Sequence, residues 1–218
     1  MINIAVIGAG YWGPNLIRNF VTCPKTRVTW VCDLDRIRLA EVLAPYPDIK
    51  QTADYQEILA DDHVDAVAIA TPVHTHFPIA GDCLKAGKHV LVEKPLADSV
   101  AEGEALVDLA DETGLVLMCD HTFCYTGAVL KIKEIIESGL LGELLYYDSV
   151  RINLGLFQQD INVVWDLAPH DLSILDYLIE KDPLQVSAHG ICHAGNNIEN
   201  MAYMTLYYHD SFISHFHL

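Results

Sequence analysis

Gly8, Gly10 and Gly13 stand as G-x-G-x-x-G directly after the apolar run Ile2–Ile7, and Asp33 closes the next apolar run, 20 residues beyond Gly13. Each member of this set suits one mechanical task in holding a pyrophosphate. Gly8 permits a tight turn, Gly10 lets the backbone approach phosphate oxygens, and Gly13 lets a helix pack closely on the strand. A helix opening at Gly13 turns its first N–H groups and the positive end of its dipole toward the anion, with Ala9, Tyr11 and Trp12 in the loop beside it. The Asp33 carboxylate would accept hydrogen bonds from the adenosine ribose hydroxyls, which favours NAD over NADP with its 2′-phosphate. Three glycines alone also fit a tight turn in an unrelated α/β unit. The order strand, turn, helix, strand, acid makes a dinucleotide site the stronger reading.

Two further sets could act on a substrate. Glu93-Lys94-Pro95 follows the apolar run His89–Val92, at the end of a strand where ligands of open parallel sheets bind, and a lysine there can polarise or deprotonate a hydroxyl. An ordinary surface lysine is the plain alternative. Asp166 and His170 are four residues apart in a helix-like segment and therefore share a face. An imidazole that takes a carbinol proton while a carboxylate orients it is a common base for hydride removal; a surface Asp–His pair is the alternative. Lys94 and His170 fall in different predicted domains, so a cleft between domains is expected to bring them to the nicotinamide. Pro169 donates nothing to a helix ladder, so the helix is expected to start near Ala168, with Asp166 before it or in its first turn. Thr71 and His76 follow the Ala66–Ala70 run and are candidates for touching the cofactor, while Thr75 fits a helix N-cap equally well. His121, Tyr125, Arg151 and Asn153 are candidates for gripping a polar substrate. The remaining His189, His193, His209, His215 and His217 lack ligand-like pairing, and no metal site is expected.

The elements that must position these residues alternate. Strand-like runs Ile2–Ile7, Arg27–Cys32, Ala66–Ala70, His89–Val92 and Leu115–Cys119 are interleaved with helical candidates Gly13–Thr22, Arg36–Leu43, Tyr55–Ala60, Phe77–Ala86 and Ser99–Glu112. Continuous apolar strands separated by helices predict a doubly wound parallel sheet, a Rossmann domain over 1–120. After Asp120 the rhythm changes. An amphipathic helix over Gly127–Ser138 precedes a strand over Leu144–Asn153, a polar loop through Asp160 and a helix over Trp165–Ile179. Strands over Leu184–Ile191, Met201–Tyr208 and Ser211–Leu218 then predict a largely antiparallel sheet, so 121–218 is read as an α+β domain. The last of these runs stops without a turn or cap, which predicts an uncovered sheet edge, and with it either a truncated, incomplete sheet or an edge covered by another subunit.

Composition narrows the partners. The 218 residues are 51% hydrophobic, yet polar and turn residues interrupt every apolar stretch before it could span a bilayer, and no basic segment precedes the first strand. A cytoplasmic protein is the expectation. A formal charge of −17 disfavours nucleic acid and anionic membrane as partners, although a pocket can still be locally positive. The six cysteines form neither C-x-x-C pairs nor a framework, so reduced thiols are expected, with Cys32, Cys83 and Cys119 buried in apolar runs.

Taken together, Gly8-Ala9-Gly10-Tyr11-Trp12-Gly13, Glu93-Lys94-Pro95 and Asp166-Leu167-Ala168-Pro169-His170-Asp171 resemble the glucose-fructose oxidoreductase / inositol dehydrogenase / rhizopine catabolism (Gfo/Idh/MocA) family across essentially the whole chain. The resemblance implies an NAD(P)-binding Rossmann domain and a C-terminal α+β domain whose large sheet shapes the substrate site and makes homo-oligomers. It implies Lys94, Asp166 and His170 as the catalytic groups, Glu93 and Lys94 beside the cofactor, and a cis Lys94–Pro95 bond. It further implies a hydride transfer between nicotinamide and a ring carbon of a sugar. The stretch Asp160–Asp166 is similar to members found with bacterial surface-polysaccharide genes, which implies a nucleotide-linked sugar, with inositol and free sugars left open. A dinucleotide-binding homologue without catalysis is the second hypothesis.

Overall fold

The computed structural model describes residues 1–152, 161–193, 195 and 197–218. Its contacts divide the chain into two compact units, Met1–Asp120 and His121–Leu218. In the first unit the elements are β1 (Ile2–Ile7), α1 (Gly13–Thr22), β2 (Thr26–Cys32), α2 (Arg36–Leu43), β3 (Lys50–Thr52), α3 (Gln56–Leu59), β4 (Ala66–Ile69), α4 (His76–Lys85), β5 (His89–Val92), α5 (Val100–Thr113) and β6 (Leu117–Cys119). All pairings are parallel, in the order β3-β2-β1-β4-β5-β6. This is the doubly wound order, in which the chain reverses direction across the sheet between β1 and β4 and leaves a crevice at their carboxyl ends.

The burial explains the apolar runs. Ala5 and Ile7 of β1 pack on one face with Ile69, Leu84, Val92 and Leu106, while Ile4 and Val6 pack on the other with Leu16, Ile17, Val31 and Leu39. A strand covered on both faces has no polar side, hence no alternation. Helix starts are set locally: Asp35 accepts from the N–H groups of Ile37 and Arg38, both at 3.1 Å, and Ser99 accepts from Glu102 at 3.3 Å. Gly114, at φ 67°, ends α5 in the left-handed conformation that a non-glycine residue avoids.

The second unit contains α6 (Gly127–Glu137), β7 (Tyr146–Val150), α7 (Val163–Ile179), β8 (Gln185–Ile191), β9 (Met201–Tyr207) and β10 (Ile213–His217). Among the described residues its sheet has the order β7-β10-β9-β8. Two sequence expectations change here, while the sheet is largely antiparallel as expected: β9 pairs antiparallel to both β8 and β10, and β10 pairs parallel to β7. For the same reason the run ending at Leu218 is no open edge: β10 is hydrogen-bonded on both sides, and β7 and β8 flank the sheet. Finally, α7 begins at Val163 and carries Pro169 inside it. Asn162 caps it by accepting from Trp165 N–H at 2.9 Å, and Val163 N–H is bound to Glu199 C=O at 2.8 Å, so the start is fixed six residues before the proline. The inner face of this sheet packs Met204, Leu206 and Phe216 against Ala168 and Leu175 of α7.

Candidate active site

The glycine loop has the form its task requires. Gly8 lies at φ 100°, and a Cβ there would come within 2.4 Å of Ala70 O; a Cβ on Gly13 would come within 2.1 Å of Gly8 O. Both positions are closed by backbone, which cannot move aside. Gly10 differs, since a Cβ there would meet only an Arg38 guanidinium nitrogen at 3.9 Å, so its missing side chain leaves open space above the loop. Tyr11 and Trp12 flank that space, 87% and 41% exposed. No acidic residue lies in the first turn of α1, where Pro14 carries no N–H and Asn15 N–H donates to Trp12 C=O at 2.9 Å.

Asp33 is anchored beside the loop. One carboxylate oxygen accepts from Ala9 N–H at 2.7 Å and the other from Asp35 N–H at 2.8 Å. Each carboxylate oxygen has two acceptor directions, so the group ties the loop to the end of β2 and keeps capacity for ribose hydroxyls. Asp33 N–H in turn donates to Thr52 O at 3.2 Å. Next to it opens a cleft of about 450 Å³ lined by Arg36, Leu39, Gln51, Thr52 and Glu57 among others. The short, polar β3, which carries no apolar run and was not expected from sequence, supplies part of that wall.

At the neighbouring strand ends, Thr71 follows β4 and Glu93-Lys94-Pro95 follows β5, with the Lys94–Pro95 bond cis. His76 is 1% exposed, with Nδ1 2.8 Å from Pro95 O and Nε2 2.8 Å from Thr71 O. Its ring lies between the two loops that follow β4 and β5, and in the neutral form its single N–H donates to one of these carbonyls. Burial holds its pKa below the usual histidine value, against the pull of the two carbonyls. Thr75 precedes α4 but its hydroxyl makes no cap; it lies 2.6 Å from Thr71 Oγ1 and 2.6 Å from Pro72 O, stiffening the same loop.

Glu93 is the most perturbed acid of the first unit. Burial, then a hydrogen bond and the charge of Asp120, push its carboxyl up to about 8. Asp120 directly follows β6, the strand paired to β5, which is why the two carboxyls meet. Glu93 Oε1 is buried and has no hydrogen-bond partner among the described residues. A buried carboxyl oxygen without a partner at the ligand end of the sheet is a place for a polar group of a ligand. The open space above Gly10, the Asp33 carboxylate and this oxygen therefore fit a dinucleotide.

The second unit holds the other candidates. Asp166 and His170 lie one turn apart on α7, and the His170 ring meets Phe123 with centroids 4.8 Å apart and planes at 78°. His121 precedes the 3-10 turn Thr122–Tyr125, in which Tyr125 is 66% exposed. Arg151, expected to grip substrate, is already engaged: it makes a two-point pair with Asp171 and stacks over Phe123. Asn153 lies outside the described residues. Sequence reasoning overlooked Asp171 and Phe123. The available signal was a carboxylate on the inward side of an apolar helix, which demands a cation.

Three of the thiols are held back by burial. Burial pushes Cys32 to about 11 and both Cys83 and Cys119 to about 12, so they stay protonated and poorly nucleophilic. Among the described residues no cluster of three or more His, Cys, Asp or Glu is placed to hold a metal ion, and no helix is long and apolar enough to cross a membrane.

Comparison with known proteins agrees with this geometry. Residues 2–121 match the family of oxidoreductases with an NAD-binding Rossmann fold, and residues 129–218 match the Gfo/Idh/MocA C-terminal domain. The chain is 40% identical over 188 residues, 83% of its length, to 4-carboxy-2-hydroxymuconate-6-semialdehyde dehydrogenase of Sphingobium sp., and 29% identical over 195 residues, 87% of its length, to scyllo-inositol 2-dehydrogenase (NAD(+)) of Bacillus subtilis. It spans 60% and 57% of these two relatives. GenD2 from gentamicin A biosynthesis, solved in complex with NAD, shares the fold with a TM-score of 0.92 over 99% of this chain and 65% of GenD2, at 24% identity. With both units matched over nearly their whole length, the chain belongs to the Gfo/Idh/MocA oxidoreductase family.

Proposed function

We propose that the chain is the NAD-binding and catalytic part of a dehydrogenase or reductase acting on CH–OH groups, with a ring carbon of a sugar as the reacting centre. The observation that carries this reading is the glycine cradle, closed by backbone at Gly8 and Gly13, open at Gly10 and tied to Asp33. When bound, NAD supplies the nicotinamide carbon that accepts or returns the hydride. The Gly8–Gly13 loop and the N-terminus of α1 hold the pyrophosphate, Asp33 holds the adenosine ribose, and the cleft beside Thr52 receives the adenine. Thr71 lines the cofactor site at the end of β4. Glu93 accepts a hydrogen bond through its buried Oε1 from a cofactor hydroxyl or amide group.

Lys94 and His170 handle the hydroxyl proton, and Asp166 supports His170 from one turn away on the same helix face. His121 and Tyr125 contact the substrate. We favour a nucleotide-linked sugar, because Asp160–Asp166 is similar to family members found with surface-polysaccharide genes. A second copy of the chain covers the outward face of the second sheet, where Tyr146, Tyr203, Tyr207 and Ile213 are exposed. A second substrate reading rests on the 40% identical relative, whose name specifies a carboxylated semialdehyde.

The test is NADH formation by the purified chain with NAD⁺ and a panel of nucleotide sugars, free sugars, inositols and carboxylated semialdehydes. A signal confined to one class names the substrate. Silence across the panel, with NADH still bound, would favour a dinucleotide-binding homologue without catalysis.

A further inference from the structure

Asp171 directly follows His170 and is 4% exposed. A lone carboxylate at such a depth is costly unless it is paired and hydrogen-bonded, and here it is both. Arg151 Nε lies 2.5 Å from Oδ2 and Nη2 lies 3.1 Å from Oδ1, while Ser149 Oγ donates to Oδ1 at 2.9 Å. Arg151 Cζ sits 4.6 Å from the centre of the Phe123 ring. That same ring makes the edge contact with His170, at 4.8 Å between centroids. The contacts close a circuit, Asp171 to Arg151 to Phe123 to His170, and all of it lies within the second unit.

The circuit solves a local problem. Successive side chains on a helix diverge by about 100°, so Asp171 and His170 occupy different faces of α7. The two-point grip fixes the plane of the guanidinium, the fixed cation holds the face of Phe123, and Phe123 blocks rotation of the imidazole. Because Arg151 and Asp171 neutralise one another, His170 gains a rigid neighbour without a net charge beside it.

We propose that Asp171, acting through Arg151 and Phe123, is a positioning residue that sets the orientation of the His170 ring. The proposal rests on the role assigned to His170 above, but its structural half can be tested without turnover. In the intact chain, the His170 ring signal in a ¹H–¹³C NMR correlation is assigned as the one lost in His170→Ala. Its ring-current shift from Phe123 is expected to vanish in Phe123→Leu and to persist in Phe123→Tyr. Asp171→Asn leaves Phe123 in place, yet it is expected to move the His170 signal most of the way to its Phe123→Leu position. A folded Asp171→Asn with an unmoved His170 signal overturns the proposal. If Asp171→Asn does not fold, Arg151→Lys, which keeps the charge and loses the planar fork, carries the same expectation and the same overturning result.

In the NADH-formation assay, Asp171→Asn is expected to lower kcat roughly tenfold to a hundredfold, with NADH affinity and KM little changed. Wild-type turnover by His170→Ala would remove the catalytic reading and leave the NMR result standing. An inactive His170→Ala beside an Asp171→Asn with wild-type signal and kcat would remove the positioning role alone.

Discussion

Gly10 and Gly13 belong to one motif, yet the surroundings of their missing side chains predict opposite consequences for alanine. A methyl on Gly13 meets the Gly8 carbonyl at 2.1 Å, so Gly13→Ala must displace backbone. It is expected to cost at least about 1–3 kcal/mol, seen as a lowered melting temperature. A methyl on Gly10 enters open space, so Gly10→Ala should melt like the wild type while its NADH affinity falls on the order of tenfold or more, measured by fluorescence titration. A Gly10→Ala chain that binds NADH normally would remove the pyrophosphate from above the loop. Glu93 makes a second residue-level prediction. Its folded pKa, about 8, lies above the ordinary 4.5, so the folded state holds this proton more tightly than the unfolded chain does. The stabilisation is complete below 4.5 and is lost as pH rises through about 8. Asp120 and Lys94 are the charged groups that act on it. Melting temperature should therefore decline across that interval in the wild type and decline less in Glu93→Gln. Equal slopes would show that burial of this acid does not govern the alkaline limb.

The elements of the first unit could be read closely from sequence, because burial on both faces leaves an unmistakable apolar run and glycine and capping residues mark the turns. The polar β3 escaped, since pairing with β2 alone defines it, through Trp30↔Lys50 and its neighbours. In the second unit, α7 was started too late because a proline was read as a beginning. Pro169 is tolerated inside the helix, whose start is set by Asn162. Asn162→Ala is accordingly expected to cost about 1 kcal/mol in stability, measured by denaturant unfolding, which is the usual contribution of an asparagine cap. No loss would mean that the Val163 N–H bond to Glu199 C=O holds the helix start without the cap. The parallel pairing of β10 with β7 was illegible for another reason. It joins segments more than 60 residues apart, and periodicity within a strand carries no information about a distant partner. The same limit hid the Asp171–Arg151 pair.

In the proposed function each unit brings its own part of the chemistry: the first the dinucleotide cradle and Lys94, the second Asp166 and His170 on α7. The motifs behind these proposed roles are short and local, which is why they stand out in the sequence. Their supports, His76 between two loops and Phe123 against His170, depend on packing that only the fold reveals. The strongly acidic surface, at −17, leaves recognition of an anionic cofactor to local backbone N–H groups rather than to net charge.

In the proposed function Lys94 and His170 move the hydroxyl proton, and the glycine loop with Asp33 holds the cofactor. NADH affinity and turnover measured together in Lys94→Ala and His170→Ala, with the substrate class the panel identifies, separate the two tasks. Turnover is expected to fall by about 10²-fold or more in each variant while the Kd for NADH stays near that of the wild type. Parallel loss of binding and turnover, or turnover unchanged in both variants, would contradict that assignment.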